Sequence, residues 1–93
     1  MSEEKIQTHV LVSGIVQGVF FRAEAQKTAS ENNVTGWIQN LDSGDVEAVF
    51  EGTKPDVDKL VEWCHQGSDP AFVSNVEAKE QSPVSNFENF EIK

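Results

Sequence analysis

Apolar and polar residues alternate in several short segments of the chain and recur with helical spacing in two others. Residues 6–13 alternate, which predicts a half-buried strand. Residues 22–32 carry apolar side chains one helical turn apart, which predicts an amphipathic helix. A second helix is predicted between Thr53 and Gly67, where the apolar positions again share one face. The other predicted strands are residues 35–41, 45–51, 73–80 and 87–92.

These elements follow the order β-α-β-β-α-β, with one short extra strand. Residues 35–41 and 45–51 form a hairpin, because the turn between them contains Gly44. Two helices of this length, each linking strands through a right-handed crossover, cover one face of a mainly antiparallel sheet. The pattern therefore predicts an α+β fold, a ferredoxin-like split βαβ sandwich, in a single domain over residues 1–93.

Composition then narrows the class of protein. A net charge of -9 with only 7 basic residues repels polyanions, so we expect no nucleic-acid partner. An RNA-binding sheet of the same topology would need a basic surface. The first ten residues contain no apolar stretch, so we expect neither a signal peptide nor a membrane span. The single cysteine permits no internal disulfide, so we expect a cytoplasmic location. We also expect a monomer.

Candidate chemistry lies between the first strand and the first helix, in the stretch GIVQGVFFR over residues 14–22. A strand ending at Ser13, a glycine-containing loop and a helix beginning near Phe21 would aim backbone N–H groups at one point. The positive end of the helix dipole favours an anion at the same place. Arg22 adds a planar cation that matches phosphate oxygens. The predicted phosphate-binding loop comprises Ile15, Val16, Gln17, Gly18, Val19, Phe20, Phe21 and Arg22.

The loop lacks the features of several familiar phosphate chemistries. It has neither the Walker A spacing nor the dinucleotide glycine pattern. Val16 stands where a cysteine phosphatase would place its nucleophile, and Ser13 and Gly14 stand where a phosphoaspartate enzyme would need its Asp. No cluster of His, Cys or carboxylate residues has metal-ligand spacing, so we expect no metal and no cofactor.

Such a site can still be catalytic if the leaving group departs without a proton. Acyl phosphates meet that condition because they release a carboxylate, and catalysis then reduces to holding the phosphoryl oxygens and placing a water in line. Asn40, at the end of the second predicted strand, is a neutral amide that can donate to the phosphoryl group and accept from water. Asn40 is therefore a candidate for holding the water, provided that the end of its strand lies beside the loop that carries Arg22; taken alone it is equally typical of a turn before residues 42–44.

Two segments resemble the acylphosphatase family. GIVQGVFFR is similar to the signature GxVQGVxFR, and GWIQNLDSGDVEAVFEG over residues 36–52 is similar to the family's second block. The resemblance implies a ferredoxin-like sandwich that hydrolyses acyl phosphates without metal or cofactor. It also implies phosphate binding by Arg22 and water orientation by Asn40. Ile15, Ala23 and Gln39 depart from the commoner pattern and weaken the local positive field.

The main hypothesis is thus an enzyme whose substrate is a small acyl phosphate, with orthophosphate or sulfate as a competing anion. The alternative is a non-catalytic ferredoxin-like module that senses a phosphorylated metabolite. Hydrolysis of a simple acyl phosphate such as benzoyl phosphate distinguishes the two.

Other polar and sulfur-containing residues are interpreted structurally. Cys64 lies on the apolar face of the second helix, which favours a small core residue over a reactive thiol. His9 and His65 have no acidic partner at a meaningful spacing and are predicted to lie on the surface. The acidic residues within 42–51 and 77–91 are predicted to form solvated strand faces.

Overall fold

The elements follow one another in the predicted order, with the short extra strand at the end. The fold is described for residues 4–81 and 85–93 of a computed structural model. The bounds are β1 (Lys5–Ile15), α1 (Phe21–Glu31), β2 (Thr35–Asn40), β3 (Val46–Thr53), α2 (Lys54–Gln66), β4 (Phe72–Gln81) and β5 (Phe90–Ile92). Neither helix within these ranges is long and apolar enough to cross a bilayer.

The five strands form one sheet in the order β4-β1-β3-β2-β5. Neighbouring strands are antiparallel except for β2 and β5, which pair in parallel. Since β3 is antiparallel to both β1 and β2, those two strands are parallel to each other and α1 crosses over β3 between them. This split βαβ arrangement confirms the predicted ferredoxin-like fold.

The register of the three central strands decides which side chains meet the helices. Val12, Val46 and Asn40 are direct partners across β1, β3 and β2, so they form one row of the sheet. Side chains in such a row point to the same face. Val12 and Val46 belong to the buried core. The row therefore directs the Asn40 side chain to the helix-covered face of the sheet.

The core lies between this face and the two helices. Phe21, Ala25 and Ala29 are the buried positions of α1, at the spacing of one helix face. Leu60 and Cys64 are fully buried on α2. Burying a side chain the size of leucine stabilises a fold by about 1.5 to 3 kcal/mol. Desolvation raises the pKa of the Cys64 thiol to about 12, and its interpretation as a small core residue is confirmed.

Strand β1 is longer than predicted. It continues past Ser13 through a β-bulge, after which Gly14 pairs with Val73 and Ile15 pairs with Phe72. Gly14 has a φ of 128°, and a Cβ there would lie 2.1 Å from the Phe72 carbonyl oxygen. Only glycine allows the two strands to approach this closely at residue 14. Because the pairing continues past Ser13, the predicted end of the strand at Ser13 is wrong, and Ile15 lies in β1 and not in the loop.

His9 has an acidic partner that its sequence neighbours do not reveal. Its Nε2 lies 2.7 Å from Oε2 of Glu47 on β3, and Gln39 donates to the other carboxylate oxygen at 2.7 Å. The hydrogen bond from His9 is the main cause that holds the pKa of Glu47 below its ordinary value. Because His9 alternates with the buried Val10, this group lies on the sheet face opposite the helices. The expectation that His9 lacks an acidic partner is therefore wrong.

Glu51 corrects the prediction of a uniformly solvated acidic strand face. It is only 1% exposed. Its Oε1 accepts from the Gln7 amide at 3.0 Å and from the Ser85 backbone N–H at 2.8 Å, and its Oε2 accepts from the Phe87 backbone N–H at 3.0 Å. The Phe87 backbone N–H thus donates to the Glu51 carboxylate and not to the backbone of a neighbouring strand. This is why the strand predicted over residues 87–92 begins only at Phe90.

The Glu51 carboxylate stabilises the folded state in its ionised form. Burial alone would raise its pKa, but the hydrogen bonds from Ser85, Gln7 and Phe87 outweigh burial and lower the pKa below the ordinary value of 4.5. A carboxylate whose pKa is lower in the folded state stabilises the fold above its unfolded pKa. That contribution is lost as the pH falls through the folded value.

We expect Glu51→Gln to lower the free energy of unfolding by about 2 kcal/mol at neutral pH, because an amide nitrogen replaces one of two charged acceptors. The difference from the native protein should shrink as the pH falls below 4.5. Urea unfolding across this pH range measures it. Glu77→Gln, which changes an exposed carboxylate on β4, controls for the loss of one negative charge. An equal loss of stability at low and neutral pH would contradict the assignment.

Candidate active site

A cavity of about 280 Å³ lies where the loop after β1, the start of α1, the end of β2 and the last strand meet. It brings together Arg22 and Asn40, which the sequence predicts as the catalytic pair. The full set of lining residues is Val16, Gly18, Phe20, Phe21, Arg22, Ala23, Asn40 and Ile92.

The loop before α1 has the backbone shape of an anion-binding concavity. Gly18 has a φ of 73° and Phe20 a φ of 65°, whereas Val19 between them is not left-handed. This alternation turns successive backbone N–H groups toward one side. Phe20 is also the N-cap of α1 and provides no side-chain acceptor for the first-turn N–H groups. The loop and the helix start therefore present backbone donors to an anion.

Gln17 ties this loop to the end of β2. Its Nε2 donates to the Leu41 carbonyl oxygen at 2.7 Å and to the Asp45 carbonyl oxygen at 2.9 Å. Leu41 directly follows Asn40, so the two hydrogen bonds hold the loop beside the asparagine. Gln17 belongs to the predicted phosphate-binding loop, and its side chain positions that loop; it is not among the residues that line the cavity.

A second tie holds the other side of the loop. Ser68, which is buried after α2, donates from its hydroxyl to the Val19 carbonyl oxygen at 2.6 Å. Phe21 is buried at the start of α1, and its ring centroid lies 5.0 Å from that of Trp63 on α2. The loop is therefore anchored to both layers. Val19 does not line the cavity either, and nor does Ile15, which is exposed at the end of β1.

Arg22 follows directly and is half-buried at the cavity. Its Nη1 donates to the backbone oxygen of Lys93 at 3.2 Å, and the Lys93 backbone N–H donates to the Ile38 carbonyl oxygen at 2.8 Å. Lys93, held on the sheet beside β2, thus positions the guanidinium. The sequence carries no signal for this contact, because the acceptor is a backbone atom 71 residues away.

Asn40 presents a buried acceptor to the cavity. Its Oδ1 is shielded from solvent and has no hydrogen-bond partner within residues 4–81 and 85–93. A buried polar atom without a partner costs about 1 to 3 kcal/mol, so folded proteins satisfy such atoms or use them. Since Asn40 lines the same cavity as Arg22, its Oδ1 is available to a donor that enters there.

The charge in the cavity comes from one residue. Arg22 is the only charged side chain among the described lining residues. Of the three positions that depart from the family pattern, Ala23 lines the cavity, whereas Ile15 and Gln39 do not. No group of three or more His, Cys, Asp or Glu residues within the described ranges is arranged to hold a metal ion. Sequence reasoning missed Ile92, whose place beside the site depends on the pairing of β5 with β2.

Comparisons with known proteins agree with this geometry. The family model described as acylphosphatase matches residues 8–92. A protein of Haloquadratum walsbyi named acylphosphatase is 54% identical over 83 residues, which cover 89% of each chain.

Solved structures give the same result for the fold. An acylphosphatase from Coxiella burnetii has a TM-score of 0.91 and 43% identity, and the match covers 96% of this chain and 93% of that one. An acylphosphatase from Bacillus subtilis has a TM-score of 0.92 and 32% identity, with 95% and 98% covered. With both signature segments folded around one cavity and a family match over almost the whole sequence, the chain belongs to the acylphosphatase family.

Proposed function

We propose that the protein hydrolyses acyl phosphates to a carboxylate and orthophosphate, with Arg22 and the loop over residues 16–22 binding the phosphoryl group and Asn40 orienting the attacking water. The observation that carries this proposal is the partnerless Oδ1 of Asn40 in the cavity that Arg22 also lines. Family membership supports the reaction class.

The phosphoryl group is bound by the backbone and one cation. The left-handed residues Gly18 and Phe20 and the uncapped start of α1 supply N–H donors, and Arg22 supplies a planar fork. These donors meet the equatorial phosphoryl oxygens, where charge is spread in the transition state. Because the ties from Gln17 and Ser68 fix the loop before substrate arrives, little reorganisation is needed during the reaction.

Asn40 favours hydrolysis over simple sensing of a phosphate group. The doubly ionised phosphoryl group of a phosphorylated metabolite carries no hydroxyl and offers only acceptors, so an amide oxygen gains nothing from it. A water molecule donates, and a buried Oδ1 can hold it in one orientation. A site built only to retain phosphate has no use for that acceptor, whereas a hydrolase needs it for its nucleophile.

The bonds exchanged in this reaction balance without an acid catalyst. The water oxygen forms a bond to phosphorus, and the bond from phosphorus to the acyl oxygen breaks. The electron pair leaves with the carboxylate. One water proton stays on the attacking oxygen and the other passes to a phosphoryl oxygen, so that both end on the orthophosphate product. Because a carboxylate is a stable anion at neutral pH, no group has to protonate it.

Several finer expectations stay predictions. The competing anion is orthophosphate or sulfate, since either one matches the same donors. The single domain over residues 1–93, the monomeric state and the cytoplasmic location rest on composition and patterning alone.

The direct test of the function is hydrolysis of acetyl phosphate and benzoyl phosphate in the presence of EDTA, followed by orthophosphate release. We expect turnover of both, and little turnover of an alkyl phosphate monoester, whose alkoxide leaving group needs an acid. A protein that is stabilised by orthophosphate but turns over neither acyl phosphate would support the sensing module instead. Comparable turnover of the monoester would contradict the mechanism.

Arg22→Ala should abolish the rise in melting temperature that orthophosphate causes in the native protein, because an anion bound only to the folded state stabilises it. We also expect kcat/KM to fall by about 10² or more. Lys27→Ala, which removes an exposed cation from the same helix away from the cavity, is the matched control and should keep both properties. If Arg22→Ala keeps the anion-dependent shift, the phosphate is bound elsewhere.

Asn40→Ala should lower kcat by about 10² to 10³ and leave inhibition by orthophosphate nearly unchanged, because it removes the water-orienting acceptor and spares the loop. Gln39→Ala changes the neighbouring side chain on the opposite face of β2 and controls for damage to the strand. Circular dichroism and melting verify the fold of each variant. A folded Asn40→Ala protein with native kcat would remove Asn40 from the mechanism.

A further inference from the structure

Phe20 combines two features that a phenylalanine rarely shows. Its side chain is 74% exposed, the highest exposure among the large apolar residues of the described ranges. Its backbone is left-handed, with φ 65° and ψ 18°, a conformation that is a genuine outlier for a bulky residue. Neither feature stabilises the protein alone. Strained residues of this kind persist at sites where their position has a function.

Phe20 lines the same cavity as Arg22 and Asn40. Ile92 of β5 lines the same cavity and is 39% exposed. The two residues come from elements far apart in sequence, the loop before α1 and the last strand. Together they give the cavity an apolar border next to the cation that is proposed to bind the phosphoryl group.

The charge at this site restricts what else can enter. Within residues 4–81 and 85–93, Arg22 is the single charged side chain that lines the cavity. In the proposed function it binds the phosphoryl oxygens. A second anionic group on the substrate would meet no cation in the cavity and would enter a protein whose net charge is -9. The volume of about 280 Å³ is at the small end of ligand sites, so the acyl group is small as well as uncharged.

We propose that Phe20 and Ile92 form the acyl subsite, and that the preferred substrates carry an uncharged apolar acyl group, aromatic above all. This inference rests on the proposed function, because the phosphoryl group must bind at Arg22 for the acyl group to reach the apolar border. An aromatic acyl group stacks on the exposed Phe20 ring and removes apolar surface of both partners from water.

The test compares kcat/KM for benzoyl phosphate and acetyl phosphate within each protein, so that a general loss of activity cancels in the ratio. Phe20→Ala should lower the ratio of benzoyl to acetyl phosphate about fivefold to tenfold, mainly through KM for the benzoyl substrate. Phe20→Leu should retain part of the preference. Ile92→Ala should lower the ratio to a smaller extent. Succinyl phosphate, which carries a second anion, should be the poorest acyl substrate of the native protein.

Phe72→Ala is the matched control, since Phe72 is 64% exposed and does not line the cavity, and its ratio should equal the native one. Unchanged ratios in folded Phe20 and Ile92 variants would overturn the subsite while leaving the hydrolase intact. If Phe20→Ala does not fold, Phe20→Leu and Ile92→Ala decide the question by the same ratio. A native protein that hydrolyses no acyl phosphate would overturn the proposed function itself, which is a different result.

Discussion

The register of β3 between β1 and β2 is the constraint on which the site depends. It aligns Val12, Val46 and Asn40 in one row, and two members of that row are core valines. A slip of β2 by one residue against β3 would turn the fully buried Ile38 to the other face of the sheet, at a cost of about 1.5 to 3 kcal/mol in lost burial. The same slip would turn Asn40 away from the helices. The Asn40 amide is therefore held in place by the core packing of its own strand, through Ile38.

The position of the loop before α1 depends in turn on the same strand register. Gln17 reaches two carbonyl oxygens of the β2–β3 connection, which the register has already placed beside the end of β1. Ser68 holds the Val19 carbonyl from the side of α2. These hydrogen bonds oppose the strain of the left-handed Phe20, which the chain would otherwise relax. A backbone that is held in an unfavourable shape before the substrate binds is the physical meaning of a preorganised site.

The features of the fold and the site that could be predicted are those that produce a local pattern in the sequence. The alternation in β1 and the helical spacing in α1 predicted the element order and hence the fold class. The two signature segments indicated Arg22 and Asn40, which line one cavity. The bulge at Gly14 and the role of Gln17 could not be predicted. The Gln17 side chain contacts backbone atoms 24 and 28 residues away, and any sequence supplies such acceptors.

The burial of Glu51 also could not be predicted from the sequence, because here the distant backbone atoms are the donors. Its neighbours along β3 and its charge are typical of a solvated position, so its burial depends on a distant segment whose backbone N–H groups bond its carboxylate. A prediction from residue types assigns a carboxylate to water unless a cation lies nearby. Here backbone donors take the place of the cation, and those donors are invisible in a sequence because every residue except proline carries one.

Backbone donors would also allow a protein with a net charge of -9 to bind the anion that the proposed function requires. A surface field of that sign opposes the approach of a phosphate, and clustered cations would be the direct remedy. Among the residues that the structure describes, the cavity has a single lining cation, Arg22. The rest of the attraction comes from N–H groups fixed by the loop and the helix start, whose dipoles act only at short range. Such a site discriminates by shape more than by charge. A shape-selective cradle with an apolar border is suited to a substrate that is anionic at one end only.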